Sequence, residues 1–164
     1  SSTIGTVGGR EFKSTIYVNH VDHSEHLALT KGAIDVARGP VLVRMHSFNT
    51  FDDIYSAERA LELHKAMEMI NSEGLGAVVM LRNPSKTLFS DQLKEKAQTS
   101  DSTFRGYGIG AQILLDLGIH EMIVLSNTER TLVGLEGYGL TIVERKPIKI
   151  SKNEPVPVSD GFYE

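Results

Sequence analysis

Two apolar runs set the frame of this chain. VLV opens the stretch VLVRMHSFNTFDDIYSAERALEL, Val41 to Leu63, and AVVML, Ala77 to Leu81, follows it. Between them Ile54, Ala57, Leu61, Ala66, Met67 and Ile70 recur near helical spacing, while Glu58, Glu62, Lys65 and Glu68 fall on other faces. Asp52 or Asp53 can cap this helix at its start. Gly74 stops it, because glycine accepts the positive φ of a C-terminal cap. A short, continuous apolar run such as AVVML is how a strand buried on both faces reads. A strand, a helix and a buried strand in that order call for a partly parallel sheet covered by helices.

The flanks fit around that unit. KSTIYV, Lys13 to Val18, and HLALT, His26 to Thr30, read as strands of a hairpin or meander, joined by the polar turn NHVDHSEH. Arg82 to Ser102 is polar and carries Pro84; it is expected to be loop with a short helix over Asp91 to Ala97. Further on, the pattern gives a helix over Tyr107 to Leu117, a strand over Glu121 to Leu125, a short helix over Thr128 to Gly137 and a last strand over Leu140 to Val143. The expected class is α+β merging into α/β: a β-rich N-terminal half, then alternating helices and strands on a mixed sheet. Residues 1–11 are expected to be a flexible lead or linker, 12–148 one domain, and 149–164 a Pro-rich tail.

Composition removes several function classes. The formal net charge of -4 offers no basic excess for nucleic acid or an anionic membrane. There is no cysteine, so thiol catalysis, disulfides and Cys-ligated zinc are excluded within these 164 residues. No apolar run approaches the ~20 residues needed to span a bilayer, and no signal-peptide pattern opens the chain. A soluble, cytoplasmic domain is expected.

Four stretches could carry chemistry. His20, His23 and His26 are spaced by three, which suits a metal on a turn or helix; strand alternation from His26 onward would splay them apart. After the Val41 strand come Arg44, His46, Ser47, Thr50, Asp53 and Arg59. The arginines suit phosphate or carboxylate, and His46 can move a proton near neutral pH. The plainer account pairs Arg44 and Arg59 with Asp52, Asp53 and Glu58. STFRGYGIG, Ser102 to Gly110, offers either an anion site at a helix N-terminus beside Arg105 or a glycine-rich start that lets a helix pack closely. Ser126, Asn127 and Thr128 follow a strand at the edge where open α/β sheets bind ligands; they could read a base or cap a helix.

RGYGIGAQILLDLGIHEMIVLSNTERTLVGLEGYGLTIVERKPI, Arg105 to Ile148, resembles the C-terminal part of GTP cyclohydrolase II, which opens the imidazole ring of GTP at the start of riboflavin synthesis. VLVRMHS resembles that family's strand and the start of its site loop, and EHLALTKG its N-terminal hairpin, which makes His26 a strand residue. The resemblance covers roughly Phe12 to Ile148. The family's site loop reads R-V-H-S-E-C, T-G-D, S-x-R-C-D-C-G, and its three cysteines hold the catalytic zinc. Here Asn49, Ala60 and Glu62 stand at those positions and Phe48 replaces the acidic residue, while Arg44, His46, Ser47, Asp53 and Arg59 are kept. By the same resemblance Arg105 falls on the nucleophilic arginine, Thr103 on its acidic partner, Ser126 on a guanine- or phosphate-contacting threonine and Thr131 on a lysine. Of the family's phosphate-binding stretch only Arg82 and a later base, Lys86, remain reminiscent.

The family's zinc lowers the pKa of bound water toward about 7. Asn49, Ala60 and Glu62 cannot supply a three-ligand site, so zinc is not expected and no resident cofactor is; GTP, with or without Mg²⁺, remains a candidate ligand. The resemblance then implies a degenerate, pseudoenzyme-like GTP cyclohydrolase II domain. It would be homodimeric, fused to or partnering a 3,4-dihydroxy-2-butanone 4-phosphate synthase, with a dimerisation or regulatory role and residual nucleotide binding through Arg44, Ser47, Arg59 and Ser126. The alternative is a hydrolase with altered metal use, releasing pyrophosphate from GTP with Arg105 as nucleophile, His46 in the catalytic set and a metal held by phosphates and Asp53. A small-molecule sensor using the surviving arginines is the third class.

Overall fold

The computed structural model describes residues 2–6, 10–34, 39–48, 57–82, 101–127 and 135–150. Within them lie strands β1 (Ser2–Thr6), β2 (Arg10–Val18), β3 (Glu25–Lys31), β4 (Val41–Phe48), β5 (Gly76–Arg82), β6 (Glu121–Leu125) and β7 (Thr141–Lys146), with helices α1 (Ala57–Glu73) and α2 (Asp101–Asp116). The strands form one mixed sheet in the order β1-β2-β3-β5-β4-β6-β7. β1, β2, β3 and β5 are linked antiparallel; β5, β4, β6 and β7 run parallel. The β-α-β frame and the β2–β3 hairpin expected from the sequence are both present.

The alternation of β4 explains why the helices take opposite faces. Val41 and Val43 point into a core shared with Ala111, Ile113 and Leu114 of α2. Leu42 points the other way, into a core shared with Ala66, Met67 and Ile70 of α1. Both faces of β4 and β5 are therefore covered, which accounts for the unbroken apolar run Ala77 to Leu81, buried throughout. Gly76 starts β5 under α1: a Cβ there would lie 2.7 Å from Ile70 Cγ2 and 2.8 Å from the Leu42 carbonyl oxygen. Gly74 closes α1 at φ 75°, and its N–H bonds to Ile70 O at 2.9 Å, the C-terminal cap read from the sequence.

Three element bounds differ from expectation. Ser2–Thr6, inside the stretch read as a flexible lead, pairs with Arg10–Ser14 of β2; this ladder is made by backbone groups, on which side-chain composition is silent. α2 starts at Asp101, where a loop was expected up to Tyr107. Tertiary packing overrides the low helix propensity of the glycines. β7 runs on to Lys146, beyond the expected Val143. The short helix expected over Asp91 to Ala97 lies outside the described residues, as does most of that over Thr128 to Gly137, of which Leu135 and Glu136 are helical.

Candidate functional site

The connections leaving β4 and β6 set the place of a site. After β4 the chain passes to α1 on one face; after β6 it reaches Leu135, which is buried on the opposite, α2 face. Adjacent parallel strands whose continuations diverge leave a crevice at their carboxyl ends, the usual ligand position in open α/β sheets. Arg44, His46 and Ser47 lie toward this end of β4, and Ser126 and Asn127 directly follow β6.

Arg44 is 8% exposed, on the α1 face of β4. Its Nη2 donates to Glu62 Oε2 of α1 at 2.9 Å, an ion pair, and its Nη1 donates to the Leu125 carbonyl at the end of β6 at 3.1 Å. Asn127 completes the group. Its Nδ2 donates to Ile148 O at 3.0 Å and to Glu62 Oε1 at 3.3 Å, and its Oδ1 accepts from Ile148 N at 2.7 Å. Each carboxylate oxygen of Glu62 thus accepts a hydrogen bond, and one cluster ties together β4, α1, the end of β6 and the chain after β7.

Among the described residues Arg44 pairs with Glu62; Asp52 and Asp53, two of the partners that the plainer account offers, lie outside them. Arg59 Nη2 donates to the backbone carbonyl of Ser47 at 2.6 Å, bracing the first turns of α1 against the end of β4. His46, two residues on from Arg44, is buried on the same face, while the Ser47 side chain is exposed. Ser126 is buried; its N–H bonds Lys146 O at 3.1 Å and its carbonyl accepts from Arg145 Nη1 at 3.1 Å. The structure therefore gathers Arg44, His46, Ser47, Arg59, Glu62 and Ser126 at one edge. Asn49, Thr50, Asp53, Lys86 and Thr131 lie outside the described residues; Thr103 and Arg105 are placed on α2 by backbone alone.

Residue typing gave no notice of the role of Asn127. A signal existed: an asparagine right after a strand is well shaped to clamp a neighbouring backbone through both halves of its amide. The Arg44–Glu62 pairing was legible only in part, because it spans a strand and the helix that follows it.

Two glycines of α2 serve packing. A Cβ on Gly110 would run into Met45 Cε of β4, and one on Gly108 would lie 3.1 Å from the Tyr138 hydroxyl. They let α2 lie close on the sheet. The histidines separate as strand geometry requires. His20 and His23 are exposed in the hairpin turn, His23 at φ 57°, whereas His26 is buried in β3. His26 Nδ1 accepts from the Arg82 N–H at 3.1 Å and its Nε2 lies 3.0 Å from Ser24 Oγ, which donates to Asp22 Oδ1 at 2.6 Å. Burial pushes the His26 pKa below its ordinary value, against the opposing pull of Asp22. Among the described residues no group of three or more His, Asp or Glu is placed to hold a metal ion.

Zinc is the metal that the resemblance implies, and the part of the donor set among the described residues does not fit it. Ala60 has no donor atom, and both oxygens of Glu62 are engaged by Arg44 and Asn127. Zinc requires several convergent donors, and the positions described offer no such set.

Comparison with known proteins bears on the same residues. The family model for GTP cyclohydrolase II matches residues 1–147. A riboflavin biosynthesis protein RibBA of Bacillus subtilis is 35% identical over 161 residues, 87% of this chain and 40% of its own length. Proteins of the same name are 40% identical over 149 residues in Phocaeicola vulgatus, covering 79% of this chain and 36% of the relative, and 35% identical over 163 residues in Synechocystis, covering 88% and 29%. The chain thus spans well under half the length of these relatives.

Proposed function

The chain belongs to the GTP cyclohydrolase II family, and on that premise we propose that it is a catalytically silent member whose zinc site has been replaced by an internal ion pair. What supports this above all is Glu62, which stands at one zinc-ligand position and has its carboxylate held by Arg44 and Asn127. The second position is Ala60, and the third, Asn49, carries a neutral amide, a poor substitute for a thiolate. Such a donor set supports no step through zinc.

In this reading the domain works within riboflavin biosynthesis in the cytoplasm as a dimerising or regulatory part of a larger protein that includes a 3,4-dihydroxy-2-butanone 4-phosphate synthase. The relatives' name and greater length support that context. Arg44, Ser47, Arg59 and Ser126 at the carboxyl edge of β4 and β6 form the residual nucleotide site. Among the described residues no helix is long and apolar enough to cross a membrane, which is consistent with that setting.

The test uses the longest natural form of the protein. Metal content, GTP turnover and GTP binding are measured on one sample, and synthase activity and stability are compared with and without residues 1–164. The expected result is zinc far below one per chain, no ring-opened product, and a synthase weakened by the deletion. Stoichiometric zinc with turnover overturns the loss of catalysis; an unaltered synthase overturns the supporting role.

A further inference from the structure

We propose that Glu62 is an internal competitor: its carboxylate fills the oxyanion cradle at the carboxyl edge of β4 and β6, so that a phosphate-bearing ligand binds only by displacing it. The inference rests on the residual nucleotide site proposed above and adds the group that controls access to it.

The two donors that hold Glu62 are positioned by other contacts. Arg44 is oriented by its Nη1 bond to Leu125 O, which leaves Nη2 directed at Glu62. Asn127 is clamped by a two-point bond to the Ile148 backbone, with its Nδ2 also reaching Glu62 Oε1. Each donor thus has an anchor besides the carboxylate. A guanidinium N–H and an amide N–H, each directed at one of two oxygens on a single carbon, form an arrangement that two oxygens of a phosphate would satisfy equally. The cluster lies where adjacent parallel strands diverge, the position at which this class of sheet takes ligands. The Glu62 side chain is 19% exposed against 10% for Arg44, so the carboxylate is the member nearer solvent.

Electrostatics gives the direction of the effect. While Glu62 sits on Arg44, an incoming phosphate must break a charge-assisted bond and meet a like charge beside the guanidinium. Removing the carboxylate leaves both donors in place and removes the repulsion. Glu62→Gln keeps the shape and one acceptor while deleting the charge, so it should act in the same direction and more weakly.

The experiment is calorimetric titration of inorganic pyrophosphate and of GTP into the wild-type protein, Glu62→Ala and Glu62→Gln, with thermal melts run with and without pyrophosphate. The expected result is binding at least roughly tenfold tighter in Glu62→Ala, a smaller gain in Glu62→Gln, and a larger pyrophosphate-induced rise in melting temperature for both variants than for the wild type. Adding Arg44→Gln to Glu62→Ala should abolish the gain. If Glu62→Ala folds poorly, Glu62→Gln carries the comparison. Wild type and both variants binding with equal affinity overturns the competitor role and leaves the nucleotide site standing. Variants that bind where the wild type does not support the competitor role and remove residual binding from the natural protein. No binding by any of the three overturns both.

Discussion

A backbone N–H cannot reverse its polarity, so the bond from Arg82 to Nδ1 fixes His26 as the neutral imidazole with its proton on Nε2, donated to Ser24 Oγ. Protonation would put a second N–H against the Arg82 N–H and break that link between β3 and the end of β5. The unfolded chain takes up this proton near pH ~6.5, while the folded pKa is held lower, chiefly by burial. Below about 6.5 the unfolded state therefore binds more protons, and stability is lost as pH falls from there through the folded value. Urea midpoints at pH 7.5 and 5.5 should drop further in the wild type than in His26→Gln; parallel drops would contradict the account. Arg44 gives a second prediction at this scale. Arg44→Ala strands the Glu62 carboxylate beside the core and should cost about 1–3 kcal/mol in denaturant unfolding, whereas Glu62→Gln should cost less. These residues were legible unequally. The strand position of His26 followed from alternation, but the bond that sets its tautomer comes from Arg82, fifty-six positions away in sequence. Likewise Arg44 was marked as a cation from sequence, but its bond to Glu62 was not named, because a helix residue facing back onto its preceding strand is hard to see without the crossing geometry.

Elements were legible where one periodicity governed them. AVVML and VLV gave β5 and β4 because burial on both faces leaves no polar positions to confuse the pattern. α2 was harder: Gly106, Gly108 and Gly110 argue against a helix locally, each at about 1 kcal/mol relative to alanine, and the close approach of Tyr138 to Gly108 and of Met45 to Gly110 explains two of them. Close approach does not make all glycines equally intolerant. At Gly76 an added Cβ meets the Leu42 backbone carbonyl and the branched Ile70, neither of which can yield without moving the sheet or α1. At Gly110 it meets the terminal methyl of Met45, an unbranched chain that can swing aside. Gly76→Ala should therefore destabilise by about 1–3 kcal/mol, in the range of core overpacking. Gly110→Ala should cost distinctly less, since it also gains helix propensity. Thermal unfolding of the two variants side by side checks the order; a Gly110→Ala as damaging as Gly76→Ala would mean that Met45 is locked.

At the scale of the whole molecule, the sheet order was not legible, because nothing in the periodicity of β6 says that it inserts beside β4 while β5 takes the other side. That order brings Leu125, Asn127 and Ile148 to Arg44 and Glu62, and it lets hydrogen bonds hold the carboxyl edge. A family domain relying on zinc at this edge would gain stability from the metal by mass action, roughly 2.7 kcal/mol when free metal is a hundredfold above its dissociation constant. Here the edge is closed by an ion pair and a backbone clamp, so no such contribution is expected. Prolonged dialysis against EDTA should leave the melting temperature within error, and added zinc should not raise it. Millimolar salt increments should lower it slightly at most, since the Arg44–Glu62 pair is largely shielded from solvent. A melting temperature that falls on chelation and returns with stoichiometric zinc would show that donors outside the described residues complete a metal site, and the ion pair would then be an accompaniment to the metal, not its replacement.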